Sequence, residues 1–114
     1  MMSDMGDADM DKVFKALADA SRRRLLDRLH ASDGLTLTAL CSGHEMTRQA
    51  VSQHLALLIA ADLVVVLKAG RERLHFLNPA PIHEISQRWI GKYEHRRLRA
   101  LADIKAKLEG NFDD

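Results

Sequence analysis

The apolar residues of this chain change period near Asp62, and that change narrows the folds open to it. Before it they recur at helical spacing. Val51, Leu55 and Leu58 fall at i, i+4 and i+7, with Thr47 as a candidate N-cap. After it comes the β-branched run LVVVL at residues 63–67, with RLHFL at 73–77 as its partner. Between the two runs, Lys68, Ala69, Gly70, Arg71 and Glu72 supply the glycine and charges of a hairpin tip. Asn78-Pro79-Ala80-Pro81 closes the hairpin and opens a last helix.

Three further helices precede the change. Met10, Val13, Phe14, Leu17 and Ala18 mark the first. Asp19 or Ser21 can cap a second, with Leu25, Leu26 and Leu29 on its apolar side and Arg22, Arg23, Arg24 and Arg28 on its basic side. Ser32-Asp33-Gly34 is a turn signal. Leu35 and Thr36 lead into a short third helix around Leu37, Leu40 and Cys41, which ends near Ser42-Gly43-His44. The expected order is therefore α-α-α-α-β-β-α, mainly helical with one small β-hairpin. Residues 10–110 form one domain, between an acidic N-terminal tail (1–9) and a short C-terminal tail (111–114).

The last helix is expected to run unbroken over 82–109, with Gly91 its only weak point. Such a helix would span ~40 Å, against a radius of gyration of ~13 Å for a domain of this size. Its apolar series (Ile82, Ile85, Trp89, Ile90, Tyr93, Leu98, Leu101, Ile104, Leu108) extends beyond what one small body covers, so a second chain should bury part of it. Trp89 and Tyr93 belong to that series and read as core or dimer-interface residues, not as a stacking platform for single strands.

Net charge is only +1, but it is unevenly placed. Asp4, Asp7, Asp9, Asp11, Asp113 and Asp114 lie outside Lys12–Gly110, which leaves 17 basic and ten acidic residues, a net +7, in the body. A basic body suits a polyanion, because neutralised phosphates release counterions. No apolar run approaches the ~20 residues of a membrane span, and the acidic N-terminus does not read as a secretory signal. A single cysteine, Cys41, makes no internal disulfide and fits a reducing cytoplasm. Catalytic elbows, Gly-rich phosphate loops and His-Glu-x-x-His are missing, and no cofactor motif is read.

Helices three and four are joined by a turn of about four residues, the spacing of a helix-turn-helix. If Val51, Leu55 and Leu58 face inward, Arg48, Gln49, Ser52 and Gln53 share the outer side. Arg can donate twice to guanine and Gln can pair with adenine, while Ser is adaptable. Thr47 and the first N–H groups of the helix could hold a phosphate. Lys68, Arg71 and Arg73 surround Gly70, as a wing lying along a duplex requires. An amphipathic helix with a polar outside, or a hairpin with a charged loop, would each explain one of these features alone. The two in this order point to double-stranded DNA.

The stretches VFKALADASRRRLLDRL and LTALCSGHEMTRQAVSQHLALLIAADLVVVLKAGRERLHFLNP resemble the ArsR-type (arsenical-repressor-like) family of winged helix-turn-helix repressors, over about residues 10–94. Ser52, His54, Leu55, Leu58, Leu63 and Val64 carry its most specific pattern. Ala20 stands where the family often has proline. The resemblance implies a homodimer built on the first and last helices (Val13, Phe14 and Leu17, with Trp89, Tyr93, Leu98, Leu101, Ile104 and Leu108). It also implies repression, often of the protein's own operon (autorepression), at a palindromic operator with half-sites ~34 Å apart.

The family's usual metal sites are not matched. Cys41 has no Cys-x-Cys partner, His83 has no Asp two residues before it, and Leu98 stands three residues after His95. No metal site is therefore assigned and the effector is left unknown. Two readings stay beside the repressor: a metal or thiol sensor using Cys41 or the histidines, and a winged-helix interaction module that has lost DNA binding.

Overall fold

A computed structural model of the chain describes residues 5–32, 34–43, 45–90 and 95–112, without the side chains of 95, 96, 111 and 112. Its packing divides into two units, 1–83 and 84–114. Helix α1 (Asp7–Leu17) begins ahead of Met10. Asp7 and Asp9, expected in a tail, occupy its first turn, where the helix dipole favours carboxylates.

Asp19 caps α2 (Ala20–Ala31), its carboxylate accepting from the N–H groups of Ser21 at 2.8 Å and Arg22 at 3.1 Å. The backbone hydrogen bond from Arg22 is the main cause holding the Asp19 carboxyl below the usual aspartate range. A carboxyl depressed on folding adds stability above its unfolded pKa, and that stability is lost as pH falls through the folded value. Denaturant unfolding between about pH 2 and pH 6 should therefore show an acid-side loss of stability that Asp19→Asn reduces. Equal acid limbs in the two proteins would remove Asp19 from this role.

Three of the arginines read as the basic side of α2 close the ends of other helices. Arg22 donates from Nε to the Ala16 carbonyl at 2.8 Å and from Nη2 to that of Lys15 at 2.9 Å, and Arg23 Nη1 donates to Leu17 at 2.6 Å. Arg28 reaches the carbonyls of Ala39, Leu40 and Ser42 at 2.8–2.9 Å, at the end of α3 (Leu37–Cys41). Cations are favoured there because the last carbonyls of a helix lack intrahelical partners.

Helix α4 (Arg48–Ala60) starts at Thr47, whose Oγ1 accepts from the Ala50 N–H at 3.1 Å. It ends in a Schellman turn: Leu63 N–H donates to the Leu58 carbonyl and Asp62 N–H to that of Ile59, both at 2.9 Å. Asp62 takes the left-handed conformation (φ 62°) that such a stop demands. Leu58 and Leu63, the apolar pair of this motif, are both fully buried. Asn78 then fixes the strands to the helix end, its Nδ2 donating to the Asp62 carbonyl and its N–H to that of Leu63.

Strands β1 (Val64–Ala69) and β2 (Glu72–Leu77) pair antiparallel from Val64↔Leu77 to Ala69↔Glu72, leaving Gly70 and Arg71 as the turn. Gly70 supplies the positive φ of 65°. Leu35 adds a bridge to β2, exchanging both backbone hydrogen bonds with His75. Gly34, at φ 72°, makes the approach possible, since a Cβ there would meet Phe76 Cζ at 2.9 Å.

The core lies in residues 1–83, where Leu25, Leu29, Leu40, Val51, Leu55, Leu58, Leu63 and Val64 are buried. The single last helix expected from the sequence is instead described as α5 (Ala80–Trp89), with Ile90 in a turn, and α6 (His95–Phe112). Residues 91–94, which include Gly91 and Tyr93 of the expected helix, lie outside the described residues. No helix of the described residues is long and apolar enough to cross a membrane.

Candidate nucleic-acid interface

Burial of Val51, Leu55 and Leu58 fixes the rotation of α4, and Arg48, Gln49, Ser52 and Gln53 are all exposed on its outer side. Thr47 is exposed at the helix start. Its Oγ1 is engaged in the cap, while the N–H groups of Arg48 and Gln49 belong to the first turn, which has no intrahelical acceptors. Arg48 Nη1 donates to Thr38 Oγ1 at 3.1 Å, which ties the first residue of α4 to α3.

An open groove of about 870 Å³ separates these helices from the hairpin. Thr36, Thr38, Arg48, Ser52, Glu72, Arg73 and His75 contribute its polar lining. Lys68 and Arg73 are directly opposite in the β-ladder. They continue the strand face that begins at the buried Val64 and runs through Val66 and His75. Like charges held opposite each other repel, and an anion between them relieves that cost. Arg71 stands exposed at the turn. The structure thus brings Arg48, Ser52 and Arg73 to one groove. Gln49, Gln53, Lys68 and Arg71 are exposed but are not part of its lining.

A helix-turn-helix domain model matches residues 17–66. YuzN, an uncharacterized HTH-type transcriptional regulator of Bacillus subtilis, is 36% identical over 86 residues, covering 70% of this chain and 94% of YuzN. An ArsR-like transcriptional regulator from Rhodococcus sp. RHA1 has a TM-score of 0.66 at 31% identity, over 85% of this chain and 92% of its own. The chain belongs to the ArsR family of transcriptional regulators. The transcriptional repressor SdpR, also of Bacillus subtilis, is 28% identical over 81 residues, or 71% of this chain and 88% of SdpR. Proteins of the ArsR family act as helix-turn-helix regulators and not as enzymes.

His54, which belongs to the ArsR-type pattern, and His75, which does not, both have structural partners. His54 Nδ1 lies 3.2 Å from Arg22 Nη1, and since arginine can only donate, that nitrogen accepts. His75 is buried, and its Nδ1 donates to the Leu35 carbonyl at 2.8 Å. Among the described residues, no three of His, Cys, Asp and Glu are grouped to hold a metal ion. Cys41 is half-buried, and His44 lies outside the described residues.

Of the residues expected at a dimer interface, Val13 is 1% exposed and belongs to the core of its own chain. Leu17 is half-buried and Phe14 is 45% exposed. Trp89, Leu98, Leu101, Ile104 and Leu108 are all more than 40% exposed, and Tyr93 lies outside the described residues. Sequence reasoning missed Thr36 and Thr38 as groove residues. Periodicity sorts residues into inner and outer faces but does not show which outer groups meet across a turn.

Proposed function

We propose that the chain is a DNA-binding repressor that acts as a homodimer on an operator with two-fold symmetry. The observation that carries this reading is the joint placement of the outer face of α4 and the basic face of the wing. In each protomer α4 enters a major groove, where Arg48 and Gln49 read base edges and Ser52 and Gln53 add adaptable contacts. The first turn of α4 receives a phosphate. Lys68, Arg71 and Arg73 hold the backbone beside it without reading sequence.

The apolar stripe Leu98, Leu101, Ile104 and Leu108 on α6 supports the dimer reading. All four side chains are 41–64% exposed in the single chain, and the described side chains of α6 include no buried residue. Likeness to SdpR supports the repressor reading. No metal or thiol chemistry is assigned to the sensing side.

Binding to duplex DNA across a salt series tests the backbone role of the wing. Arg71→Ala should weaken binding to all sequences alike and lower the salt slope by about 1 in log–log form. A variant with altered sequence preference and an unchanged slope would mean that Arg71 reads bases.

A further inference from the structure

We infer that Thr38 is a positioning residue for base reading, its hydroxyl holding the Arg48 guanidinium in the orientation used at the base edge. The inference rests on the reading of α4 as the helix that enters the groove.

Local structure fixes where Thr38 stands. Thr36 caps α3, accepting from the Ala39 N–H at 3.1 Å, and Leu40 is fully buried. With the helix held at those two points, Thr38 is exposed and lines the groove shared with Arg48 and Ser52. Its Oγ1 receives Arg48 Nη1 at 3.1 Å. Arg48 follows the cap residue Thr47 directly, so its backbone is fixed by the helix start while its long side chain would otherwise sample many rotamers.

The chemistry of this contact suits preparation for binding. A guanidinium has five N–H donors, and one hydrogen bond to Thr38 leaves four, enough for two parallel bonds to guanine O6 and N7. Glu72 lines the same groove, yet the hydrogen bond of Arg48 goes to a neutral hydroxyl. A neutral partner leaves the cation's charge available to DNA, whereas a carboxylate would compete with it. Ordering the side chain before DNA arrives lowers the entropy lost on binding, by an amount equal to about a two- to tenfold gain in affinity.

The test uses the full chain and three variants: Thr38→Val, which keeps the shape and removes the hydroxyl, Thr38→Ser, which keeps it, and Arg48→Ala. Affinities are measured by fluorescence anisotropy on the preferred duplex selected from a random pool, on every single-base-pair variant of it, and on unrelated duplex. Thr38→Val should bind the preferred duplex about two- to tenfold more weakly. Its loss of discrimination should fall at the base pair whose preference Arg48→Ala erases. Thr38→Ser should restore both properties, and the double variant Thr38→Val, Arg48→Ala should bind no worse than Arg48→Ala alone. An equal loss on all duplexes with a shallower salt slope would make Thr38 a phosphate contact and overturn the proposal. So would unchanged binding by Thr38→Val alongside a base-specific effect of Arg48→Ala. If Arg48→Ala erases no base preference, the assignment of the reader helix fails and the proposal falls with it.

Discussion

Glutamates placed at Leu101 and Ile104 are expected to split the proposed dimer and abolish specific operator binding while the winged domain stays folded. Both residues lie on α6, at 64% and 55% exposure, and the core residues all lie within 1–83. Helix α6 has 18 residues and so a length of about 27 Å. Leu98, Leu101, Ile104 and Leu108 fall along one side of it at intervals of three and four. Burying a large aliphatic side chain fully contributes about 1.5–3 kcal/mol. Four half-exposed ones from each of two chains make a substantial interface, and a carboxylate at its centre has no partner. A monomer reaches only one half-site, so its affinity should fall toward the non-specific range, a loss of about 10³-fold or more. Sedimentation should show monomers, and circular dichroism should keep the helical signal. A dimer that survives both substitutions would exclude α6 as the interface.

The second large effect is expected at the reader helix. Arg48→Ala and Gln49→Ala should each cost ~1–3 kcal/mol of operator affinity and relax base preference, because the first removes two donors to guanine and the second a donor–acceptor pair to adenine. In the proposed dimer both protomers would carry the change, so a palindromic site would feel it twice. Both side chains are exposed, and their removal should shift folding stability by no more than about 0.5 kcal/mol. Competition binding with specific and unrelated duplex, together with denaturant unfolding, checks the two statements. Full operator affinity in the double variant would show that the outer face of α4 does not read the bases.

Much of this architecture is legible in the sequence. Val51, Leu55 and Leu58 set the rotation of α4, and the register about Gly70 follows from two apolar runs and one turn residue. The less legible parts involve polar groups finding each other across space. The arginines of α2 look like a basic face in sequence, but Arg22, Arg23 and Arg28 close the ends of α1 and α3. Any guanidinium within reach of unpaired carbonyls can do this, and spacing along one helix does not show where a neighbouring helix ends. Val13 belongs to an apolar stripe that faces its own core on one flank, while Phe14 lies on the other. Periodicity marks that stripe without dividing it between core and partner. Asp7 and Asp9 read as tail because they carry no apolar pattern, although their charge favours a helix start.

The central claim is that two copies of α4, beside two basic wings, read a symmetric operator. Selection of bound duplexes from a random pool by the intact chain tests it most directly. An inverted repeat should emerge, its half-site centres about 10 base pairs apart, or a whole multiple of that, as two-fold related reader helices require. Enrichment of a single unrepeated motif, or of no sequence at all, would contradict it.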